Sequence, residues 1–263
     1  MAMVTEAELV DGFRRLGVRE GDYLEVHSSL RSFGSVDGGA ETVINSVLRC
    51  VGPSGAVVMP AAQASKAVPL TEDEKQRGLT WKVRVLPSDD LETPTFQGFI
   101  ADLFRTWPGV VRNSYSAWGA RAAEFSHGLA PFVEAGGRCL LLGVRFNRAS
   151  CLHVGDARVR TPADVGRLFV PPPELLRDYP DDTWWIGYDA RCPGAEFDNS
   201  HLLEDEAERR GLLDRTMIGN APMVLFDARP VIEMSVQLRN AQPYRMAGVE
   251  PPTPTSIHRE ARP

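Results

Sequence analysis

The residues of this chain best suited to chemistry are His153 and Asp156, in the run Ser150-Cys151-Leu152-His153-Val154-Gly155-Asp156. Three residues apart on a helical turn, they share one face. The carboxylate can then fix the tautomer of the imidazole or stabilise its cation. A neutral histidine near the operating pH can take a proton and later return it. Spacing alone leaves a half-buried structural histidine as the alternative. The second candidate is the loop His27-Ser28-Ser29-Leu30-Arg31-Ser32-Phe33-Gly34. Its small hydroxyl and glycine residues break an apolar run and can present backbone N–H groups, preorganised donors for an oxyanion or a phosphate. Ser28 and Ser29 lack the G-x-S-x-G elbow of an activated serine. Cys151 stands two residues from His153, a spacing that sends the two side chains to different sides.

The elements that position this loop lie between Tyr23 and Pro60. Tyr23 to His27 has the aromatic and β-branched content of a short strand. Gly39 to Val51 carries Val43, Ile44, Val47 and Leu48 as a helix stripe, and Gly52-Pro53 stops it. Ala56 to Met59 reads as a second buried strand ending at Pro60. A strand, loop, helix, strand order argues for a parallel α/β sheet, and the fold expected for the whole chain is α/β with a mixed, largely parallel central sheet flanked by helices. In such sheets ligands sit at the C-terminal ends of the strands, where the Ser28–Ser32 loop falls.

Composition narrows the function classes. With 263 residues, 43% of them hydrophobic, the chain can bury a substantial core, read here as a single domain over residues 1–240. A net charge of −6 gives no footprint for nucleic acid or an anionic membrane. The four cysteines, Cys50, Cys139, Cys151 and Cys192, contain no C-x-x-C pair, which argues against a zinc site or a disulfide framework and predicts no metal. No apolar run is long enough to span a bilayer, and the first residues read as an acidic amphipathic helix rather than a signal peptide. A cytoplasmic protein is expected.

Three blocks in order resemble the aminoglycoside 3-N-acetyltransferase family: His27-Ser28-Ser29-Leu30-Arg31-Ser32 with Gly39; Val51-Gly52-Pro53-Ser54-Gly55 with Val58-Met59-Pro60; and LLLGVRFNRASCLHVGD, ending at Asp156. The resemblance extends from about Leu9 to about Leu238. It implies that family's own α/β fold and transfer of an acetyl group from acetyl-coenzyme A to an amine of an aminoglycoside-like or related natural product. It implies His153 as general base with Asp156, at the family's glutamate position, orienting it. Ser28, Ser29, Leu30, Arg31 and Ser32, with Arg112, Asn113 and Ser114, are implied to hold the coenzyme. Tyr115 falls at the family's histidine, near the acceptor; a phenol with a pKa of about 10 is a poor base at neutral pH. The alternatives are an acyltransferase with another donor or acceptor, an enzyme with an activated serine or cysteine, and a non-catalytic binder of coenzyme A or an amine.

The remaining chain carries further expectations. Thr5 with Glu8 forms a capping box opening a helix to about Leu16. Residues 63–94 read as a functional loop insertion or a solvated surface loop; by the resemblance they wall the acceptor side, which implies that Trp81 and the acids Glu72, Asp73, Asp89, Asp90 and Glu92 could face substrate. Thr95 to Trp107 reads as a helix with Phe96, Phe99, Ile100, Leu103 and Phe104 on one face, Arg138 to Val144 as a buried strand, and Thr183 to Tyr188 as another. By the resemblance Asp189, and secondarily Glu196, receive the cationic acceptor. Phe197 to Leu213 reads as helical, Ile218 to Ala221 as the opening of a final helix, and residues 241–263 as a poorly ordered tail. The expected partners are a small-molecule amine and coenzyme A, with a homodimer left open as the assembly.

Overall fold

The computed structural model describes residues 3–113, 128–191 and 198–252, and the backbone of 116–120. Nine strands are assigned there: β1 Tyr23–Ser28, β2 Ala56–Pro60, β3 Leu79–Arg84, β4 Val111–Arg112, β5 Ser116–Ala120, β6 Arg138–Leu142, β7 Trp184–Tyr188, β8 Asp214–Ile218 and β9 Ala221–Asp227. The α-helices are α1 Glu6–Leu16, α2 Gly39–Val51, α3 Glu72–Gln76, α4 Phe99–Phe104, α5 Leu129–Glu134, α6 Ala163–Gly166, α7 Pro173–Asp178, α8 Ser200–Arg209, α9 Ala228–Ala241 and α10 Pro243–Met246. Seven strands form a mixed sheet in the order β4-β5-β2-β1-β6-β9-β8. Its parallel part is the centre, where β1 pairs with β2 and with β6. Antiparallel pairs extend it on both flanks.

The alternation of side chains across β1 explains the two layers. Leu24 and Val26 point into the core built with α1, α2 and α4, while Glu25 and His27, the intervening residues, point to the other face. That second face packs Cys139, Leu141, Val224 and Phe226 against α8, α9 and the 3-10 turn Ser150–Arg158. The capping box at Thr5 and Glu8 is present, and α2 and β2 have the expected bounds.

Several expectations are corrected. Residues 63–94 are no plain loop: they contain α3 and β3, and β3 pairs antiparallel with β7 in a separate two-stranded sheet. Glu74 of α3 accepts hydrogen bonds from Lys82 and Tyr179 and so pins this ribbon to the segment before β7. The helix expected from Thr95 starts only at Phe99, because Asp102 reaches back to accept from the Thr95 hydroxyl at 2.6 Å and holds 95–98 out of helical register. Phe96 and Phe99 are consequently exposed, at 39% and 66%. Ile218 to Ala221 is a hairpin, in which Gly219-Asn220 joins β8 to β9, a dipeptide suited to that turn. Order also continues past residue 240: α9 runs to Ala241, Met246 of α10 is buried, and the Arg191 guanidinium donates to the carbonyls of Ala247 and Gly248.

The Ser28–Ser32 loop leaves the sheet between the ends of β1 and β6. The amide of Ser29 donates to Leu142 O at 2.9 Å, and Ser32 Oγ donates to Gly143 O at 2.8 Å. Gly143 has φ +66°, and a Cβ there would lie 2.3 Å from Ser32 Cβ. Both facts demand glycine. Gly143→Ala is expected to lower folding stability by at least about 1–2 kcal/mol, the left-handed penalty alone. Chemical denaturation measures it, and an unchanged midpoint would refute the close approach.

Candidate active site

A cleft of about 420 Å³ opens at the C-terminal end of β1, lined by the loop residues His27 to Arg31, by Phe96 to Phe99, and by Val144 and Arg148. No carboxylate is among the described residues lining it, and neither Arg31 nor Arg148 has a carboxylate partner among the described residues. Two guanidiniums and the hydroxyls of Ser28 and Ser29 suit an anionic ligand, since arginine pairs with phosphate through parallel N–H donors. The Leu30–Phe33 stretch is a 3-10 turn, whose leading amides have no partner within it. Ser32 lies behind the cleft, bonded to Gly143. Sequence reasoning missed Arg148, Phe96 and Phe99 as cleft residues. The apolar spacing placed both phenylalanines in a buried helix face, and nothing in one sequence aligned Arg148 with Arg31.

His153 and Asp156 lie on the Ser150–Arg158 turn, a 3-10 helix rather than an α-helix. His153 Nδ1 meets Asp156 Oδ2 at 2.8 Å. This leaves Nε2 open, and the His153 side chain is 79% exposed. The ring is outside the residues lining the cleft. Asp156 is also bonded by Arg239 of α9 at 2.5 Å. The hydrogen bond that Asp156 accepts from the ring raises the His153 pKa above its ordinary value against desolvation, with Glu25 adding and Arg239 opposing. Burial pushes Asp156 up, but the bonds from His153 and Arg239 outweigh it and hold the carboxyl low. Gly155 lets this turn lie close on α9, since a Cβ there would come within 2.8 Å of Val236.

Beneath the turn lies a buried polar group. Glu25 is fully buried and His27 is 6% exposed. The Cys151 amide donates to Glu25 Oε2 at 3.1 Å, and the Ser150 amide to His27 Nε2 at 3.2 Å. The same Nε2 lies 3.2 Å from Glu25 Oε1. It accepts from Ser150 only as the Nδ1–H tautomer and donates to Glu25 only when it carries a proton. Burial pushes the Glu25 carboxyl up, yet His27 and the Cys151 groups hold it below its usual value. Cys139 and Cys151, both remote from Glu25 in sequence, approach it so that one donor atom of each lies within 4.8 Å of the others. Burial drives Cys139 well up. The hydrogen bond from Cys139 draws Cys151 down, but burial and Glu25 bring it to about 11. Both thiols are therefore protonated at neutral pH, which weakens Cys151 as a nucleophile. No described hydrogen bond links a serine hydroxyl to a histidine.

The other expected site residues are scattered. Arg112 is exposed on β4, paired to β5, outside the cleft lining. Asn113 follows it, and Ser114, Tyr115 and Glu196 lie outside the described residues. Trp81 stands on the β3–β7 ribbon with its indole over Gly187. Asp189 is corrected as an acceptor anion: it is 3% exposed, and Arg191 grips its carboxylate with Nε at 3.0 Å and the terminal nitrogen at 2.8 Å. No helix among the described residues is long and apolar enough to cross a membrane.

Fold identifies the class first. The chain superposes on solved acetyltransferases: AAC(3)-Xa at 23% identity, with a TM-score of 0.68 over 91% of this chain and 93% of that one, and an AAC-IIIb binary structure with CoASH at 22% identity, with a TM-score of 0.65 over 96% and 100%. In sequence it is similar to aminoglycoside N(3)-acetyltransferase III of Salmonella sp, 27% identical over 238 residues, covering 81% of this chain and 74% of that protein. The family model for aminoglycoside 3-N-acetyltransferase matches residues 26–239. The chain belongs to that family and is an N-acetyltransferase, an acyl-transferring enzyme.

One prediction follows from the pair at 153 and 156. Because Asp156 stabilises the imidazolium, the titration midpoint of His153 lies above that of an ordinary imidazole. In Asp156→Asn that support is gone, and the midpoint should fall to lower pH. An NMR titration of the ring resonances reads it directly, and identical midpoints would contradict the assigned cause.

Proposed function

We propose that the protein transfers the acetyl group of acetyl-coenzyme A directly to an amine of an aminoglycoside-like substrate, with His153 as general base. The observation that carries this reading is the open Nε2 of His153, fixed through Nδ1 by Asp156, on a turn hydrogen-bonded to the wall of an arginine-bearing cleft. The cleft suits the anionic coenzyme, with Arg31 and Arg148 as phosphate partners and the Leu30 and Arg31 amides as donors to the pyrophosphate or thioester oxygen. Arg112, Asn113 and Ser114 would extend the coenzyme contact, and Tyr115 and Trp81 would approach the acceptor.

In this mechanism the acceptor nitrogen attacks the thioester carbonyl carbon while His153 Nε2 takes its proton. The carbonyl oxygen gathers negative charge against the loop donors. Collapse of the tetrahedral intermediate breaks the C–S bond, and the imidazolium returns the proton to the departing thiolate. Asp156 holds the ring in the tautomer that presents a lone pair at Nε2 and stabilises the cation formed midway. The high pKa of Cys151 favours this route over an acyl-enzyme.

A thiol-release assay with acetyl-coenzyme A across a panel of aminoglycosides and simpler amines tests the reading. His153→Ala should lose on the order of 10²–10⁴ in kcat/KM, the usual range for a general base. The acid limb of the wild-type profile should follow the raised imidazole pKa, with activity rising as the ring loses its proton. Intact mass after incubation with acetyl-coenzyme A alone should show no added acetyl group. Full activity in His153→Ala would remove the base, and a stoichiometric acyl adduct would replace direct transfer.

A further inference from the structure

The Ser150–Arg158 turn begins without a cap of its own. Ala149 precedes it and offers no side-chain acceptor, so the leading amides need partners from elsewhere. Those partners come from the central strand, more than 120 residues away: His27 accepts from Ser150 and Glu25 from Cys151, with separations of 123 and 126 residues. An apolar residue at position 25 could fill the same volume, but it would leave a buried amide unsatisfied. The same strand runs on directly into the cleft loop, and the His27 ring itself lines the cleft.

We propose that Glu25 and His27 are positioning residues of the acyl-transfer site, capping the turn that carries His153 so that its imidazole stays in register with the Ser28–Ser32 loop. This rests on the reading of His153 given above. Neither side chain touches the transferred group in this scheme. Each acts through the backbone of the turn, and a displacement near 1 Å of a reacting group can lower a rate by about a hundredfold. Glu25 also bears on His153 by charge, together with Asp156 on the turn itself and Arg239 from α9. Glu25 is in turn faced by His27, Cys139 and Cys151.

The test is a double-mutant cycle on the full chain, with amide exchange as an independent readout. In the wild type, the Ser150 and Cys151 amides should exchange slowly; fast exchange at both would overturn the proposal whatever the variants do. Glu25→Leu should lower kcat by about 10- to 100-fold while leaving KM for acetyl-coenzyme A within about threefold. Glu25→Gln, which keeps an acceptor oxygen, should lose less. In a His153→Ala background Glu25→Leu should cause no further loss, because both changes remove the same contribution. Equal losses in both backgrounds would mean a merely structural role and sink the idea. Should Glu25→Leu not fold, His27→Leu against His27→Gln runs the same cycle on kcat alone, because the His27 ring lines the cleft and its loss also bears on KM. Loss in His153→Ala with wild-type kcat in Glu25→Leu overturns this proposal alone, whereas full activity in His153→Ala overturns the base assignment and this proposal with it.

Discussion

Strand β1 is buried on both faces at the centre of the sheet, so every polar side chain on it must find its partners inside the protein. Much of the site's arrangement depends on this constraint. Leu24 and Val26 meet it by packing into the first core. Glu25 and His27 lie side by side and accept from the two leading amides of the Ser150–Arg158 turn, while Glu25 Oε1 has no hydrogen-bond partner among the described residues. The strand thereby joins segments that are remote in sequence. The loop that follows β1 is in turn bonded to the exit of β6, through Ser29 to Leu142 and Ser32 to Gly143. Loop, strand and turn share one set of backbone contacts, so a shift in one of them must strain the others.

The electrostatics divide along the same lines. The chain is acidic overall, with a net charge of −6, yet the cleft presents guanidiniums and no described carboxylate. Several arginines elsewhere are paired with carboxylates: Arg138 with Asp22, Arg191 with Asp189, and Arg239 with Asp156. Paired charges are nearly neutral at a distance, so the arginines left without carboxylates set the local field of the cleft. On the proposed reading the cleft would draw an anionic donor, and the acidic remainder would favour a cationic acceptor at longer range. The Arg239 bond also limits what Asp156 does for His153. It draws part of the carboxylate's field away from the imidazole, which keeps the base closer to neutral pH than an unshared carboxylate would.

The sequence made some of this legible and concealed the rest. The α1 capping box, α2, β2 and the central strand showed themselves because cap chemistry and period are local. The hairpin of β8 and β9 carries its own signal in Gly219-Asn220, a turn dipeptide that competes with the helix-opening reading of the same residues. The helix expected from Thr95 begins only at Phe99 because one side-chain bond, from the Thr95 hydroxyl to Asp102, outweighs apolar spacing over its first residues. Asp189 could not be judged from one chain, since its partner Arg191 is visible only as a charge two residues away until the backbone turns them together. Glu25 and His27 were readable in principle. Alternation in Tyr23-Leu24-Glu25-Val26-His27 puts two titratable groups on one face of a strand already expected to be central, and such groups need an interior role.

The exposure of His153 bears on how the reaction must be organised. A side chain open to water has its interaction with Asp156 screened, because Coulomb energies fall in proportion to the surrounding dielectric. Covering the pair strengthens that interaction and removes water that would compete for the proton. In the proposed mechanism the substrates supply that cover. The coenzyme would occupy the cleft beside the turn, and a bulky amine would seat against the ring from the solvent side. Phe96 and Phe99, unusually exposed on the cleft wall, offer apolar surface that such ligands can bury. On this argument the proposed base becomes fully effective only when both substrates are present, which is the physical reason to favour a ternary complex over a stepwise route through an acyl-enzyme.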